Sequence, residues 1–233
     1  MPDYRPQTRF QTLLAWLEHM PNAVGRSCGR KLKRRMTPRS VAAFEATLAR
    51  IGPDDTCLDL GANLGVFTRK LAATGARVEA YEPDAETFAR LQENVGHLPN
   101  VTLHQKAVGA KSGTVFLRRA IGYAADRDVL SQAATVVFDD PSRFDAAVIS
   151  VEQVGFRDLL AAVPGRVALI KMDIEGAEFD ILSDILDGTM PANFDALFVE
   201  THEKDAPEKL RDVRRFRAAA ARLEQPCIDL YWP

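Results

Sequence analysis

The sequence of 233 residues contains few cysteines and no long apolar stretch. Its three cysteines, Cys28, Cys57 and Cys227, are odd in number and widely spaced, which argues against a disulfide framework or a metal knuckle and favours a reducing compartment. Apolar runs such as 13–17 are far shorter than a membrane span, and no signal-peptide pattern begins the sequence. We therefore expect a soluble, cytoplasmic protein without a transmembrane segment.

The composition also excludes the disordered, collagen-like and low-complexity classes of protein. With 46% hydrophobic and 27% charged residues, 14 glycines and 13 prolines, it is that of an ordinary globular chain. The length suits one larger α/β domain with a small appendage. We therefore divide the chain into an N-terminal extension over 1–50 and a domain over 51–233.

Acidic residues are scarce in the extension, although the net charge of the whole chain is only −2. The segment 26–39 holds seven basic residues and no acid: Arg26, Arg30, Lys31, Lys33, Arg34, Arg35 and Arg39. Such a segment can contact an anionic substrate or surface, or it can be a solvated leader. It has no interleaved aromatic residue, so it offers no stacking platform for a single-stranded nucleic acid.

Helical periodicity marks two parts of the extension. In the first part, apolar residues at helical spacing precede Pro21 and Gly25, which end the predicted helix. These apolar residues are Phe10, Leu13, Leu14 and Leu17. In the second part, Ser40 is the candidate N-cap of a helix with Val41, Phe44 and Leu48 on its inner face. The extension is therefore predicted to be helical as well as basic.

From residue 56 onward, short apolar runs alternate with segments of helical periodicity. The runs typical of strands are 56–60, 77–81, 101–105, 167–172 and 196–199, with a last candidate at 228–232. One intervening helix has Asp84 as its predicted N-cap, and the last helix is predicted over 207–223. This alternation predicts an α/β fold, with a mostly parallel sheet and helices on both faces.

The interval 110–165 departs from this alternation. Short strand patterns occur at 114–117, 135–138 and 148–151, without clear helices between them. We interpret the interval as a β-rich insertion after the third core strand. Because long insertions at the ligand edge of such folds often carry function, it is expected to lie over the ligand crevice.

The turn after the first strand combines an acid with small residues. Asp59 precedes Gly61, Ala62, Asn63 and Gly65 at a strand-to-helix turn, where glycine permits a tight bend and helix amides favour an anion. Asp59 would repel a dinucleotide pyrophosphate, and the glycine spacing is not that of a nicotinamide-binding turn. A zwitterionic amino-acid ligand explains both features, with its ammonium at Asp59, directly or through water, and its carboxylate at the turn amides.

A second acid, Glu82, ends the second strand 17 residues beyond Gly65 and precedes Pro83. An acid in this place accepts hydrogen bonds from both ribose hydroxyls of a nucleoside. Together with the first turn, Glu82 predicts S-adenosylmethionine as the cofactor. Lys106 and Ala107 follow the third strand, where the adenine edge would lie.

Polar residues end two further strands. Strand alternation puts Lys171 and Asp173 on one face, and Glu200 and His202 share a face at the end of the next strand. Asp173, Glu200 and His202 are therefore expected to meet. They either form a salt-bridge network with Lys171 or act beside the methyl group. The same side-chain types can hold a divalent metal, but no spacing demands one, and we predict none.

Four segments together resemble the FkbM-type family of S-adenosylmethionine-dependent methyltransferases. They are 59–65, 81–83, 171–178 and 200–202. The resemblance implies a class I, Rossmann-like methyltransferase fold, whose sheet normally ends in an antiparallel hairpin, and O-methylation of a hydroxyl on a sugar or natural product. By the family pattern Asp173 lies nearer the cofactor, so we expect it to be the base or the group that orients the acceptor, with His202 second.

Two other interpretations stay open at this stage. A methyltransferase fold without catalysis could dock an anionic partner through residues 26–39. A nucleotide-binding oxidoreductase is disfavoured by Asp59. The sequence has acidic residues that fit the cofactor and a second set of acidic residues at the ends of two later strands. We therefore favour the enzyme, with a small-molecule or saccharide acceptor as its partner.

Overall fold

The computed structural model describes residues 6, 8–18, 20, 23–121, 135–137, 142, 144–190, 193–203 and 207–233. The strands are β1 (Thr56–Leu60), β2 (Arg77–Tyr81), β3 (Val101–His104), β4 (Ala107–Gly109), β5 (Gly113–Ala120), β6 (Phe144–Gly155), β7 (Val167–Met172), β8 (Phe194–Val199) and β9 (Cys227–Asp229). The helices are α1 (Arg9–Leu17), α2 (Ala23–Leu48), α3 (Val66–Ala72), α4 (Ala85–Val95), α5 (Phe156–Ala162), α6 (Glu178–Leu186) and α7 (Leu210–Ala220), with a 3₁₀ turn at Pro207–Lys209. None of these described helices has both the length and the apolar character needed to cross a membrane.

The central sheet has six parallel strands in the order β3-β2-β1-β7-β8-β9. It grows outward from β1 to β3 on one side and from β7 to β9 on the other. Open sheets of this kind bind ligands at the carboxyl ends of the strands, where the direction of growth reverses. The expected Rossmann-like α/β fold is therefore confirmed, and its ligand edge lies at the ends of β1 and β7. The last strand, β9, runs parallel to β8 and is not part of an antiparallel hairpin.

The chain between β3 and β7 forms a second sheet with the order β4-β6-β5. β5 and β6 pair antiparallel, and the short β4 pairs parallel with β6. β5 and β6 contain the strands expected at 114–117 and 148–151, but the interval 110–165 also contains α5, which was not predicted. Of the predicted strand at 135–138, Thr135 forms one antiparallel bridge with Arg118, and Phe138 lies outside the described residues.

The basic segment of the extension lies within one long helix, α2. Apolar residues recur every four positions through it, at Cys28, Leu32 and Met36, and pack in a buried cluster with Leu14 and Tyr231. The helix continues past Pro38, so the predicted start of a second helix at Ser40 is wrong. Gly25 does not end the first helix either, because it lies inside α2, and Pro21 lies outside the described residues.

Apolar residues fill both faces of the central sheet. On one face, Phe44 of α2 packs against Phe198 of β8 and against Trp232, with ring centroids 5.2 and 4.5 Å apart. On the other face, α5, α6 and α7 cover the sheet with buried side chains such as Phe156 and Phe216. Trp232 belongs to this core although the final strand ends at Asp229, three residues earlier than predicted. The two layers hold the carboxyl ends of β1, β7 and β8 in fixed positions.

Candidate active site

The turn after β1 brings the chain against the end of β7. Gly61 has φ +78°, and a Cβ atom on it would lie 1.7 Å from the backbone oxygen of Asp173. Only glycine fits this place, for both reasons. The amides of Gly61 and Ala62 donate to the backbone oxygen of Tyr81, at 3.0 and 2.9 Å. These two amides, which were expected to bind a ligand's carboxylate, thus have protein acceptors in this structure.

Asp59 is fully buried below this turn. Its Oδ2 accepts a hydrogen bond from Oγ1 of Thr68 at 2.6 Å, and its Oδ1 lies 3.6 Å from Nζ of Lys171. Burial raises the pKa of the Asp59 carboxyl, although Lys171 and Thr68 oppose this effect. Asp59 does not line the crevice described next, so the ammonium beside it is that of Lys171. The expected contact of Asp59 with a ligand's ammonium, directly or through water, stays a prediction.

A crevice at the carboxyl ends of β1, β2 and β7 collects most of the predicted cofactor residues. We call it the central crevice; its lining includes Gly61, Asn63, Glu82, Pro83, Ala107 and Asp173. Of the other predicted cofactor residues, Ala62 and Gly65 belong to the turn beside it, and Gly65 is the N-cap of α3. The central crevice therefore lies at the edge where the fold predicts a ligand.

Glu82 is the buried carboxylate of the central crevice. Its Oε2 accepts a hydrogen bond from the amide of Asn63, and its Oε1 accepts one from the amide of Asp84, both at 3.0 Å. Burial raises the pKa of Glu82 to about 7, while these two amides partly oppose the rise. Since each carboxylate oxygen has a second lone pair, Glu82 can also accept hydrogen bonds from ribose hydroxyls. The lining thus fits the nucleoside part of S-adenosylmethionine.

Lys171 ties the turn after β1 to the end of β7. Its Nζ donates to the backbone oxygen of Gly61 at 2.7 Å and to Oδ2 of Asp173 at 3.4 Å. Burial alone would lower the pKa of Lys171, but the carboxylates around it, Asp173 and Asp59 first, raise it. The ammonium is therefore charged and holds Asp173 toward the central crevice.

His202 lies buried beside Asp173, surrounded by carboxylates. Its Nε2 is 3.5 Å from Oδ1 of Asp173 and 3.4 Å from Oε2 of Glu175, and its Nδ1 is 3.0 Å from Oε1 of Glu178. Burial by itself would lower the pKa of His202, yet the carboxylates of Glu175 and Glu178 raise it to about 11. His202 is thus an imidazolium at neutral pH and carries no free lone pair to accept a proton.

Glu175 and Glu178 were not among the predicted site residues. Glu178 is fully buried, and its Oε2 accepts the amide of Gly176 at 2.7 Å. Glu175 has φ +51°, which bends the loop so that its side chain reaches His202. Both acids belong to the segment 171–178 that carries the family resemblance, and this was the signal available for them.

Glu200 separates from His202, contrary to the expectation that both share a face. β8 ends at Val199, so the alternation of a strand no longer holds over the next three residues. Glu200 and Thr201 line a second cavity, and His202 turns toward Asp173. Glu200 still contributes to the raised pKa of Lys171.

The donor atoms beside the central crevice are also of the types that divalent cations bind. One donor atom each from Asp173, Glu175 and His202 lies within 4.8 Å of the other two. Carboxylate oxygens and an imidazole nitrogen can hold such an ion once the imidazole is neutral. In the described structure, Lys171 and His202 offset part of the charge of the surrounding carboxylates.

Comparison with known proteins identifies the relatives of this chain. A model of the methyltransferase FkbM domain matches residues 59–221. The ribosomal RNA small subunit methyltransferase A of Thermotoga maritima is 44% identical over 69 residues, which are 30% of this chain and 23% of that protein.

Two further relatives match over longer stretches. The 2-O-methyltransferase NoeI of Sinorhizobium fredii is 30% identical over 146 residues, 56% of this chain and 57% of that protein. The hexuronic acid methyltransferase AglP of Haloferax volcanii is 27% identical over 150 residues, 64% of this chain and 56% of that protein. Each match covers less than two thirds of the relative's own length.

Proposed function

The chain belongs to the family of methyltransferases with an FkbM domain, and from this premise we propose that it methylates a hydroxyl of a saccharide or another small natural product. As a member of that family it uses S-adenosylmethionine as its methyl donor. The names of two relatives support transfer to oxygen and a sugar acceptor, since one is a 2-O-methyltransferase and the other a hexuronic acid methyltransferase.

The main support for the proposal is that the residues that fit the cofactor and the polar residues around Asp173 lie at the same edge of the sheet. Gly61 and Glu82, which fit a nucleoside, share the lining of the central crevice with Asp173. Asp173 in turn lies 3.5 Å from His202. A cofactor bound by the first set would therefore present its reactive end to the second set.

Binding and alignment are the main tasks of the protein in this reaction. S-adenosylmethionine supplies a methyl group already activated by a sulfonium. The buried Glu82 holds the ribose, and the turn at Gly61 packs closely against the backbone of Asp173, which fixes the two sides of the crevice relative to each other. Ala107 and Pro83 bound the space for the adenine.

We assign the role of proton acceptor to Asp173. It lines the central crevice, and its Oδ1 is buried and accepts no hydrogen bond from any residue that the structure describes. A carboxylate with a free acceptor atom can take the proton of the acceptor hydroxyl as the new C–O bond forms. The raised pKa of His202, about 11, opposes a role as base and supports one as a positioning cation for Asp173. Lys171 positions Asp173 from the other side.

The test is the activity of an Asp173→Asn variant. With S-adenosylmethionine labelled in its methyl group and a panel of saccharides and hydroxylated natural products, we expect wild-type transfer and a ~10²–10⁴-fold loss of turnover in the variant. The affinity for S-adenosylhomocysteine should stay nearly unchanged, because the asparagine keeps the shape of the side chain. Asp54→Asn, at an exposed position, is the matched control.

Two outcomes would contradict the proposal. Full turnover in Asp173→Asn would exclude this residue as the base. Binding of S-adenosylhomocysteine with no transfer to any acceptor would instead favour a non-catalytic protein that docks an anionic partner through residues 26–39.

A further inference from the structure

A second cavity, distinct from the central crevice, lies between α2, α7 and the segment that follows β8. Its volume is about 490 Å³, which is within the range of small-molecule sites. Six basic side chains line it: Arg26, Arg30, Lys33, Arg34, Arg214 and Arg217. We call it the basic cavity.

The basic residues of α2 divide between two faces of the helix. Arg26, Arg30, Lys33 and Arg34 recur at intervals of three and four residues and all line the basic cavity. Lys31 and Arg35 belong to the same charged segment but are exposed away from it. The segment that looked uniform in the sequence is therefore a cavity wall on one face and a solvated surface on the other.

Three acidic side chains, Glu18, Glu200 and Glu203, line the basic cavity against six basic ones, and Glu200 contributes to the raised pKa of Lys171. Glu18 and Glu203 both face Arg217, whose nitrogens lie 3.4 and 2.9 Å from their carboxylates. Burial would raise the pKa of Glu203, yet Arg217 and then Lys33 hold it below its ordinary value. Glu203 thus stays ionised, and both acids are already paired with Arg217.

Four arginines in the lining have no such partner. Among the residues that the structure describes, Arg26, Arg30, Arg34 and Arg214 form no ion pair and no side-chain hydrogen bond. Guanidinium groups gathered around one space bind carboxylate and phosphate oxygens in bidentate fashion. The unpaired guanidinium groups of the basic cavity can therefore bind an anion.

The basic cavity adjoins the chain segment that carries His202. Glu200 and Thr201 line the cavity, and the next residue is His202, beside Asp173. Nζ of Lys33 donates to the backbone oxygen of Thr201 at 3.3 Å, which fixes α2 against this segment. A ligand in the basic cavity would thus lie against the same segment as the proposed reacting groups.

We propose that the basic cavity is the acceptor site and selects saccharides that carry a carboxylate or phosphate group. The anion binds to Arg26, Arg30 and Arg34 of α2, and the sugar ring extends toward Glu200. This inference rests on the proposed function, because it presumes that an acceptor is brought to Asp173.

The test is calorimetry on the full chain saturated with S-adenosylhomocysteine, at low salt, where ionic contacts are strongest. The probes are glucuronate, glucose 6-phosphate and, as the neutral match, glucose. We expect at least one anionic sugar to bind about tenfold or more tightly than glucose, in line with charged hydrogen bonds. The double variant Arg30→Gln/Arg34→Gln should lose that preference, and Lys31→Gln/Arg35→Gln, on the other face of α2, should keep it.

The experiment distinguishes a failure of the acceptor-site inference from a failure of the proposed function. If S-adenosylhomocysteine binds and the anionic sugars show no advantage over glucose, the inference is overturned and the proposed function stands. An equal loss in both double variants would also overturn it, because the effect would then be one of general charge. If Arg30→Gln/Arg34→Gln fails to fold, Arg214→Gln on α7 provides the same comparison.

Discussion

Oε1 of Glu178 accepts hydrogen bonds from both the backbone amide and Nδ1 of His202, each at 3.0 Å. Its other oxygen accepts the amide of Gly176. One buried carboxylate thus joins the loop after β7 to the segment after β8. Because the hydrogen bond from Nδ1 fixes the orientation of the imidazole, this contact directs Nε2 of His202 toward Asp173.

Glu178→Gln should lower the free energy of unfolding by about 3–5 kcal/mol, the usual cost of removing one partner from a buried ion pair. The amide would also bring a donor against the donating amide of Gly176. Chemical denaturation at neutral pH measures the change. The control is Glu152→Gln, whose exposed pair with Lys106 should contribute less than about 1 kcal/mol. Equal losses in the two variants would contradict the structural role of Glu178.

The turn after β1 provides a second matched pair of substitutions. Gly61 and Gly165 have nearly the same φ, +78° and +80°, but a Cβ meets the backbone oxygen of Asp173 at Gly61 and nothing within 4 Å at Gly165. Gly165→Ala should therefore cost only the backbone strain, about 1–2 kcal/mol. Gly61→Ala should cost clearly more and weaken binding of S-adenosylhomocysteine. Thermal unfolding of both variants is the measurement, and equal shifts would show that Gly61 is not in close contact with Asp173.

The sequence allowed much of the fold to be predicted, because it depends on local patterns. Apolar runs between helical segments marked the strands of the central sheet, and the predicted cap at Asp84 is present, with Oδ1 accepting the amides of Glu86 and Thr87. The sequence did not predict that α2 is continuous, because the apolar residues Cys28, Leu32 and Met36 are separated by basic residues and followed by Pro38. The stripe that these residues form is apolar only at every fourth position.

The partners of the site residues depend on contacts between distant parts of the chain, which local patterns do not contain. Asp59 and Lys171 are neighbours because β1 and β7 pair in a register that sets them opposite each other. Glu200 and His202 diverge because β8 ends one residue before Glu200. The positions of these polar residues at the ends of strands were therefore predictable, and their pairing was not.

The affinity for S-adenosylhomocysteine should depend on pH through Glu82. Burial raises the pKa of this carboxyl to about 7, and only the ionised form offers all its lone pairs to ribose hydroxyls. As the pH falls from 8 to 6, the ionised fraction decreases, and the affinity should decrease by about tenfold. Calorimetry across this range measures the effect. Glu82→Gln should bind more weakly at pH 8 and show no such slope; a slope retained in this variant would assign the titration to another group.

Removal of metal ions should leave turnover unchanged. Lys171 and His202 lie 3.4 and 3.5 Å from the two oxygens of Asp173 and already supply the positive charge that a cation would bring. We expect the same rate of methyl transfer with and without EDTA. Loss of activity with EDTA, restored by magnesium, would contradict this expectation and make Asp173, Glu175 and His202 the ligands of a divalent ion.

The measurement that tests the central claim most directly is calorimetry of S-adenosylhomocysteine and NAD with the wild-type chain and with Glu82→Ala. The account predicts that S-adenosylhomocysteine binds, that NAD does not, and that Glu82→Ala loses about 1–3 kcal/mol of binding free energy, the cost of a charged hydrogen-bond partner. Binding of NAD with no response to S-adenosylhomocysteine, or an unchanged affinity in Glu82→Ala, would contradict it.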